Sequence, residues 1–343
     1  MYKNYKIVVN TAAGRRRYMR LLIPYILESK IVDRYDLWIN TNNNADIEFF
    51  KKIESISSKV HLIWQPDGIV NGIESINAFY KFCIDPDTIY FKIDDDVIWM
   101  EPYLIEKMVK FRIDNPQHFL VTPLVINNGF TTLLLYVHNK FKLKKGYNID
   151  SCWEKGTFAK ELHDLFIQKY LITTKYQQLY VEDAIIALNR FSINAILWFG
   201  KDLAEISGII PGNDEEFLSL IYPTKKKLTC AWNGKAIVSH FAFGSQREVI
   251  DKTDILNKYV TQSFNEHKEN PIYIQVQEIY ETIEQNLKEI NLKPHIYKDI
   301  KPKVQCKRKF SAWKFLPLPF RKLYAFYISY KKEYHTNNYI EQF

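Results

Sequence analysis

Residues Thr88–Asp96 read TIYFKIDDD, a mostly apolar run that ends, with no turn residue between, in three consecutive carboxylates. A short run rich in β-branched and aromatic residues forms a strand buried on both faces, and such strands belong to sheets covered by helices on both sides. Adjacent carboxylates repel one another unless a cation or buried donors offset them. Asp94, Asp95 and Asp96 therefore mark the carboxyl end of the strand, where open α/β sheets place their ligands.

The surrounding sequence has the same alternation. Lys6–Asn10 (KIVVN), Asp36–Thr41 (DLWINT), Val60–Trp64 (VHLIW) and His118–Val125 (HFLVTPLV) read as further strands. Arg16–Ser29, Asp46–Ser57 and Gly72–Phe82 carry apolar residues at helical spacing between them. Strand and helix in alternation predict an α/β fold with a mixed, mostly parallel sheet flanked by helices. Residues 127–178 are aromatic and polar with weaker periodicity, and are expected as insertions and helices around a site. Glu182–Phe191 reads as a helix, Thr229–Phe243 as a return to strand, and Ile272–Ile290 as the clearest amphipathic helix.

With 343 residues, 47% of them hydrophobic, the chain can fill one large core. Cys83, Cys152, Cys230 and Cys306 are far apart and form no CxxC pair, so no zinc site or disulfide framework is expected. The first apolar run is only four residues before charges return, and no later run approaches the roughly 20 residues of a membrane span. A cytoplasmic protein is the expectation. The formal charge of +8 is concentrated: Lys298–Lys332 holds eleven Lys or Arg against one Asp, so the remainder is slightly acidic. We expect residues 1–250 to form the α/β domain and residues 251–343 a helical, basic and aromatic C-terminal extension.

Hard divalent ions such as Mg²⁺ and Mn²⁺ take oxygen ligands and are commonly shared between carboxylates and substrate phosphates. The Asp94–Asp96 cluster suits a metal–diphosphate site, the bland alternative being a solvated acidic turn. The stretch Asp85–Pro102 (DPDTIYFKIDDDVIWMEP) resembles the metal-binding region of GT-A-fold glycosyltransferases, where a DxD motif ends a central strand, with Asp94 and Asp96 at the acidic positions. Four more segments are similar to a bacterial and fungal group of the same kind: NTAAGRRRYMRLL (Asn10–Leu22), RFSINAILWFG (Arg190–Gly200), GNDEEFLS (Gly212–Ser219) and VSHFAFGSQR (Val238–Arg247). The resemblance implies a GT-A-like (Rossmann-like) catalytic domain that uses Mn²⁺ or Mg²⁺. It implies a nucleotide-sugar donor, a UDP-sugar first, and a glycan or lipid-linked saccharide acceptor. It leaves the C-terminal quarter unexplained.

Thr11, Gly14, Arg15 and Arg17 lie between the first strand and first helix, where backbone N–H groups and guanidinium charge would favour a diphosphate. Alternatively the arginines only solubilise a helix start. His240 closes an apolar run; a lone histidine there is often a core residue, but the resemblance implies a third metal ligand after Asp94 and Asp96. Gln246 and Arg247 follow within reach of donor phosphates, as would Asp94 and Asp95. Asn213 with Glu216 three residues on makes a capping box. That leaves Glu215, or Asp214, as the general base for an acceptor hydroxyl, with Glu216 the third member of the acidic trio. Glu182 and Asp183 form a rival acidic pair.

Two other functions compete: a haloacid-dehalogenase-like phosphatase or phosphotransferase, and a non-catalytic glycan-binding protein on the same fold. The tail has no recognisable nucleic-acid reading module, and no nucleic-acid partner is expected. Its basic residues interleave with Phe310, Trp313, Phe315, Phe320, Tyr324 and Phe326, which suits an anionic membrane surface.

Overall fold

The computed structural model describes residues 2–65, 68–70, 73–142, 151–186 and 190–289. Among the described residues, nine strands form a single sheet: β1 (Lys6–Ala13), β2 (Arg34–Ile39), β3 (Val60–Trp64), β4 (Thr88–Ile93), β5 (Val97–Met100), β6 (His118–Ile126), β7 (Ala184–Ile186), β8 (Ala195–Phe199) and β9 (Thr229–His240). Their spatial order is β3-β2-β1-β4-β8-β6-β9-β5, with β7 also paired to β9. The ladders β3/β2, β2/β1, β1/β4 and β6/β9 are parallel. β8 runs antiparallel to both β4 and β6, while β5 and β7 run antiparallel to β9. β1, β2, β3, β4, β6 and β9 thus share one direction, giving the mixed, mostly parallel sheet that the strand–helix alternation predicts.

Period-two alternation distributes the strand residues between two cores. Ile7 and Val9, Leu37 and Ile39, Ile89, Phe91 and Ile93, and Leu197 and Phe199 face one core. Helices α1 (Arg16–Glu28) and α2 (Asn44–Ile56) cover that face, together with the helices at Gly156–Phe166, Ile255–His267 and Pro271–Glu289. Val8, Trp38, Tyr90, Ile196 and Trp198 face the other core, closed by Phe79, Tyr80, Leu203, Phe217, Leu218 and Tyr222. A sheet buried on both sides is why its strands read as near-continuous apolar runs.

The expected Ile272–Ile290 helix is found as Pro271–Glu289. It lies along α1, where Glu284 accepts from Arg16 (Nη2–Oε1 2.7 Å) and Gln277 Nε2 donates to the Arg20 carbonyl at 2.9 Å. Its Val276 and Ile283 join the first core. Gly72–Phe82, expected as one helix, is a short helix at Ile73–Asn77 that tightens into a 3₁₀ turn at Ala78–Phe82.

One expectation is corrected. The described residues of Glu182–Phe191 are not helical: Ala184–Ile186 form β7, zipped antiparallel onto Trp232, Ala231 and Cys230 of β9. Pairing with a long strand overrides a local pattern too short to specify its own period. Cys83, Cys152 and Cys230 are buried free thiols. The basic tail from Lys298, with Cys306, lies outside the described residues. Among those described, no helix is long and apolar enough to cross a membrane.

Candidate active site

Strand order reverses between β1 and β4: the chain builds outward from β1 through β2 to β3, then returns to β1's other side with β4. Such a reversal opens a crevice beyond the carboxyl ends of the strands, because the connections leave to opposite faces. Gly14 and Arg15 leave β1 there, and Asp94–Asp96 leave β4. His240 ends β9 at the same edge of the sheet.

The arginine triplet at the start of α1 is divided among separate carboxylates. Arg15 Nε lies 3.0 Å from both oxygens of Asp95, its Nη2 also bonds Asp95, and the same nitrogen is 3.2 Å from Asp96 Oδ2. Gly14 N donates to Asp95 Oδ2 at 3.0 Å. A Cβ on Gly14 would stand 3.0 Å from the Asn40 carbonyl oxygen, so this close strand exit favours glycine. Arg16 is buried against Asp46 (2.7 Å) and Glu284. Arg17 turns outward to Asp251 at 3.0 Å. These arginines are structural anchors as well as surface charge.

Asp96 Oδ2 also meets Arg247 Nη2 at 2.8 Å, while its Oδ1 lies 3.4 Å from His240 Nε2. Burial pushes the Asp96 carboxyl up, but Arg15 and His240 outweigh it and hold the group well below the usual carboxylate range. The converse holds for His240: burial alone would lower it, and Asp96 with Asp94 raises it above an ordinary imidazole. The strand-end backbone is fixed by Phe241 N on the Asp96 carbonyl (2.8 Å). Asn127 Nδ2 and His163 Nε2 both reach the Phe241 carbonyl, at 2.9 and 2.8 Å. Burial lowers His163 to about 4, which leaves it a neutral hydrogen-bonding brace.

Asp94 turns the other way. Its Oδ1 takes Lys92 Nζ, and its Oδ2 accepts from Asn194 Nδ2 at 3.1 Å. Burial raises the carboxyls of Asp94 and Asp95, each partly offset by its cation, Lys92 or Arg15.

Asp214, Glu215 and Glu216 approach from the second core. Asn213 Oδ1 caps their helix by accepting from Glu216 N at 2.9 Å, which is the Asn213 half of the expected capping box. Asp214 is nearly enclosed and accepts from Tyr80 OH at 3.1 Å. Glu215 Oε1 accepts from Arg190 Nε at 2.7 Å. Burial raises Glu215, with Arg190 opposing, which moves the carboxyl toward the range useful to a general base near neutral pH. Burial would lower the Lys92 ammonium, but the charges of Asp94, Asp214 and Glu215 raise it. The rival Glu182–Asp183 pair precedes β7, where Asp183 Oδ1 accepts from Gly234 N at 2.8 Å.

Gly14, Arg15, Asp94–Asp96, His240 and Arg247 therefore assemble at one edge, with Asp214 and Glu215 close enough for their charges to act on Lys92. Three residues named from sequence stand apart. Thr11 is enclosed in β1 and accepts from Tyr35 OH at 3.1 Å. Arg17 pairs on the outer surface. Gln246 is fully buried, bonded to Asn127 (2.9 Å) and to the Cys152 carbonyl (2.7 Å). Sequence reasoning missed Lys92, Asn194, Arg190 and Tyr80. Lys92 was detectable as a cation inside an otherwise uncharged strand.

Among the described residues, no set of three or more His, Cys, Asp and Glu side chains converges as a cation site. Asp96 Oδ1 and His240 Nε2 do approach, at 3.4 Å, somewhat wider than the roughly 3.0 Å between neighbouring ligands of an octahedral ion with bonds of about 2.1 Å. Ions of that kind commonly take one or two protein ligands and complete their shell with water and substrate phosphate, and the mixed N/O pair fits one.

No family model matches the chain, and no curated protein matches it. Several solved structures are similar. One is a CMP:2-keto-3-deoxy-manno-octonic acid synthetase complexed with CTP, at 9% identity and TM-score 0.40, covering 76% of this chain and 98% of that one. Another is glucosyl-3-phosphoglycerate synthase from Mycobacterium tuberculosis in complex with Mn²⁺, UDP and phosphoglyceric acid, at 13% identity and TM-score 0.38, covering 76% and 79%. A third is GalNAc-T7 with UDP, GalNAc and Mn²⁺, at 10% identity and TM-score 0.41, covering 84% and 57%.

Proposed function

We propose that the protein is a metal-dependent glycosyltransferase, moving a sugar from a nucleoside-diphosphate donor, a UDP-sugar first, to a hydroxyl of a glycan or lipid-linked acceptor. The observation that carries the reading is the convergence, at the strand-order reversal, of two guanidinium groups and the Asp96–His240 pair on one side, with the Asp214–Glu215 carboxylates on the other. A diphosphate needs the first set and an acceptor hydroxyl the second.

Arg15 and Arg247 grip the diphosphate oxygens, for which the guanidinium fork is suited. Asp96 and His240 hold a divalent ion, with Asp94 beside them at the strand end. When bound, that ion supplies Lewis-acid neutralisation of charge on the departing diphosphate. Glu215 takes the proton of the acceptor hydroxyl; its raised carboxyl is a stronger base than an exposed glutamate, and Arg190 fixes its direction. The enzyme works in the cytoplasm. Its basic tail rests on the anionic cytoplasmic membrane face, where lipid-linked acceptors are presented.

The test is a panel of nucleotide sugars, assayed for Mn²⁺- or Mg²⁺-dependent release of the nucleoside diphosphate. Release from one donor, lost in chelator and in Asp96→Asn, is the expected result. Binding of a glycan with neither release nor nucleotide affinity would replace the reading with that of a glycan-binding protein.

A further inference from the structure

Residues Phe241–Arg247 (FAFGSQR) leave β9 after His240 and end in Arg247, outside the strand ladders. Buried main-chain groups in such a segment need partners from elsewhere. Side chains supply them. Asn127 Nδ2 and His163 Nε2 donate to the Phe241 carbonyl at 2.9 and 2.8 Å, and Gln246 Oε1 accepts from Phe243 N at 3.0 Å.

Asn127 and Gln246 are both fully buried and meet amide to amide. Asn127 Nδ2 donates to Gln246 Oε1 at 2.9 Å. Gln246 Nε2 donates back to Asn127 Oδ1 at 3.3 Å and to the Cys152 carbonyl at 2.7 Å. Every amide nitrogen and oxygen of the pair thus has a partner, and turning either amide over would set like against like. Asn127 directly follows β6 with φ of +63°, in the left-handed region that asparagine tolerates better than most side chains. Such a conformation persists where the surroundings over-determine it. A Cβ on Gly156 would stand 2.5 Å from the Gln246 carbonyl oxygen, so the helix at Gly156–Phe166 is packed directly on this residue.

Gln246 precedes Arg247, whose Nη2 lies 2.8 Å from Asp96 Oδ2 and 3.5 Å from the Ala242 carbonyl oxygen. The guanidinium therefore folds back over the loop that the amide pair shapes. Being enclosed, neither amide can touch a substrate. We infer that Asn127 and Gln246 are positioning residues that act through Arg247, holding its guanidinium where the donor diphosphate would lie. The inference deepens the proposed function and rests on its assignment of Arg247 to the diphosphate.

The test is calorimetry of UDP with Mn²⁺ on the full chain, in wild type, Gln246→Met, Asn127→Gly, Arg247→Met and the double variant of Gln246→Met with Arg247→Met. Methionine keeps the bulk of Gln246 without its hydrogen bonds, and glycine keeps the left-handed backbone at 127 without the amide. Each of these two changes should weaken UDP about tenfold, and Arg247→Met by at least as much. The double variant should stay within about threefold of Arg247→Met alone, because the amide has no guanidinium left to place. A merely structural pair would lower the urea midpoint yet leave the UDP affinity of the folded protein unchanged, or would add its effect in full to that of Arg247→Met. Circular dichroism checks the folding of each variant, and Asn127→Gly takes the place of Gln246→Met in the double variant if the latter fails to fold.

UDP affinity within about twofold of wild type in folded Gln246→Met and Asn127→Gly overturns the inference and leaves the donor reading standing. Losses that multiply in the double variant overturn it in the same way. A wild type that binds none of UDP, CDP and GDP, or an Arg247→Met protein that binds UDP as well as wild type does, removes the diphosphate assignment itself and the inference with it.

Discussion

Arg15→Met should destabilise the protein by about 3 kcal/mol, because it strips a buried carboxylate of its principal cation while leaving the carboxylate in place. Asp95's side chain is 6% exposed, and Arg15 Nε and Nη2 both bond it. Removing one partner of a buried pair typically costs about 3–5 kcal/mol. The lower end applies here, since Gly14 N still donates to Asp95 at 3.0 Å and Arg247 still neutralises Asp96 at 2.8 Å. Asp95→Asn alone should cost about 1–2 kcal/mol, because Arg15 keeps Asp96 as a partner. The double variant should lie within about 1 kcal/mol of the Asp95→Asn protein, an explicit coupling between the two sites. Urea unfolding followed by the fluorescence of the buried Trp38, Trp99 and Trp198 measures all four forms. The deficit should also depend on pH. Burial already raises the Asp95 carboxyl, and loss of Arg15 raises it further. An acid whose folded pKa exceeds its unfolded value contributes stability that is full below the unfolded pKa and lost as pH rises through the folded one. The gap between Arg15→Met and wild type should therefore narrow from about pH 7 to about pH 5. A variant within about 0.5 kcal/mol of wild type at pH 7, or a gap that widens on acidification, refutes the reasoning.

Glu215→Gln should lower turnover by roughly 10²-fold or more with donor affinity unchanged, as for a lost general base; full activity there with a dead Asp214→Asn moves the role one residue. His240→Gln should weaken Mn²⁺ binding at least about tenfold by calorimetry, since it removes one of two protein ligands; unchanged affinity excludes His240 from the cation site. The full chain should pellet with anionic but not neutral vesicles, less so in high salt, and truncation after Ile290 should abolish this, each basic residue near the surface contributing about 1 kcal/mol. Equal sedimentation of full and truncated chains removes the membrane role from the tail.

The sequence disclosed β1, β2, β4, β6 and β9 because each is a long or densely apolar run that the sheet buries on both faces, and it disclosed the edge strand β3, whose His61 and Trp64 are exposed, by its apolar run alone. It hid β7, whose three residues carry no period of their own and become a strand only through β9. β5 was concealed for a related reason: VIWM follows the acidic cluster directly, and its pairing with Val238–His240 is a distant contact. The site divides the same way. Adjacent carboxylates at a strand end are visible locally, as is Asn213's cap on Glu216. The cation that each acid meets is not: Arg15 lies 80 residues from Asp95, and Asn194 lies 100 from Asp94. No periodicity encodes such pairings. The arginine triplet is the clearest case, since three identical neighbours at a helix start acquire separate sets of acids only in the folded chain.

The division of the three aspartates follows from the strand that precedes them. In β4, Ile89, Phe91 and Ile93 face the core beneath α1, whereas Tyr90 faces the core beneath Tyr80 and Trp198. Lys92 shares the parity of Tyr90, and Asp94, two residues further, continues it; a strand places such residues on one face. That parity carries Asp94 to Lys92 and toward the helix bearing Asp214 and Glu215. Asp95 takes the opposite parity and meets Gly14 and Arg15 at the start of α1. The turn after it, closed by Val97 N on the Asp94 carbonyl at 3.1 Å, brings Asp96 round to His240 and Arg247. Three consecutive like charges are thus tolerated because the pleat and one turn direct Asp94 to Lys92, Asp95 to Arg15, and Asp96 to Arg15, Arg247 and His240. Under the proposed function, the same separation would set an acceptor-facing carboxylate on one side of the sheet edge and the diphosphate-facing groups on the other. A transfer reaction needs its base and its leaving group held apart, so in the proposed reaction the strand that supplies the acids would also supply their division of labour.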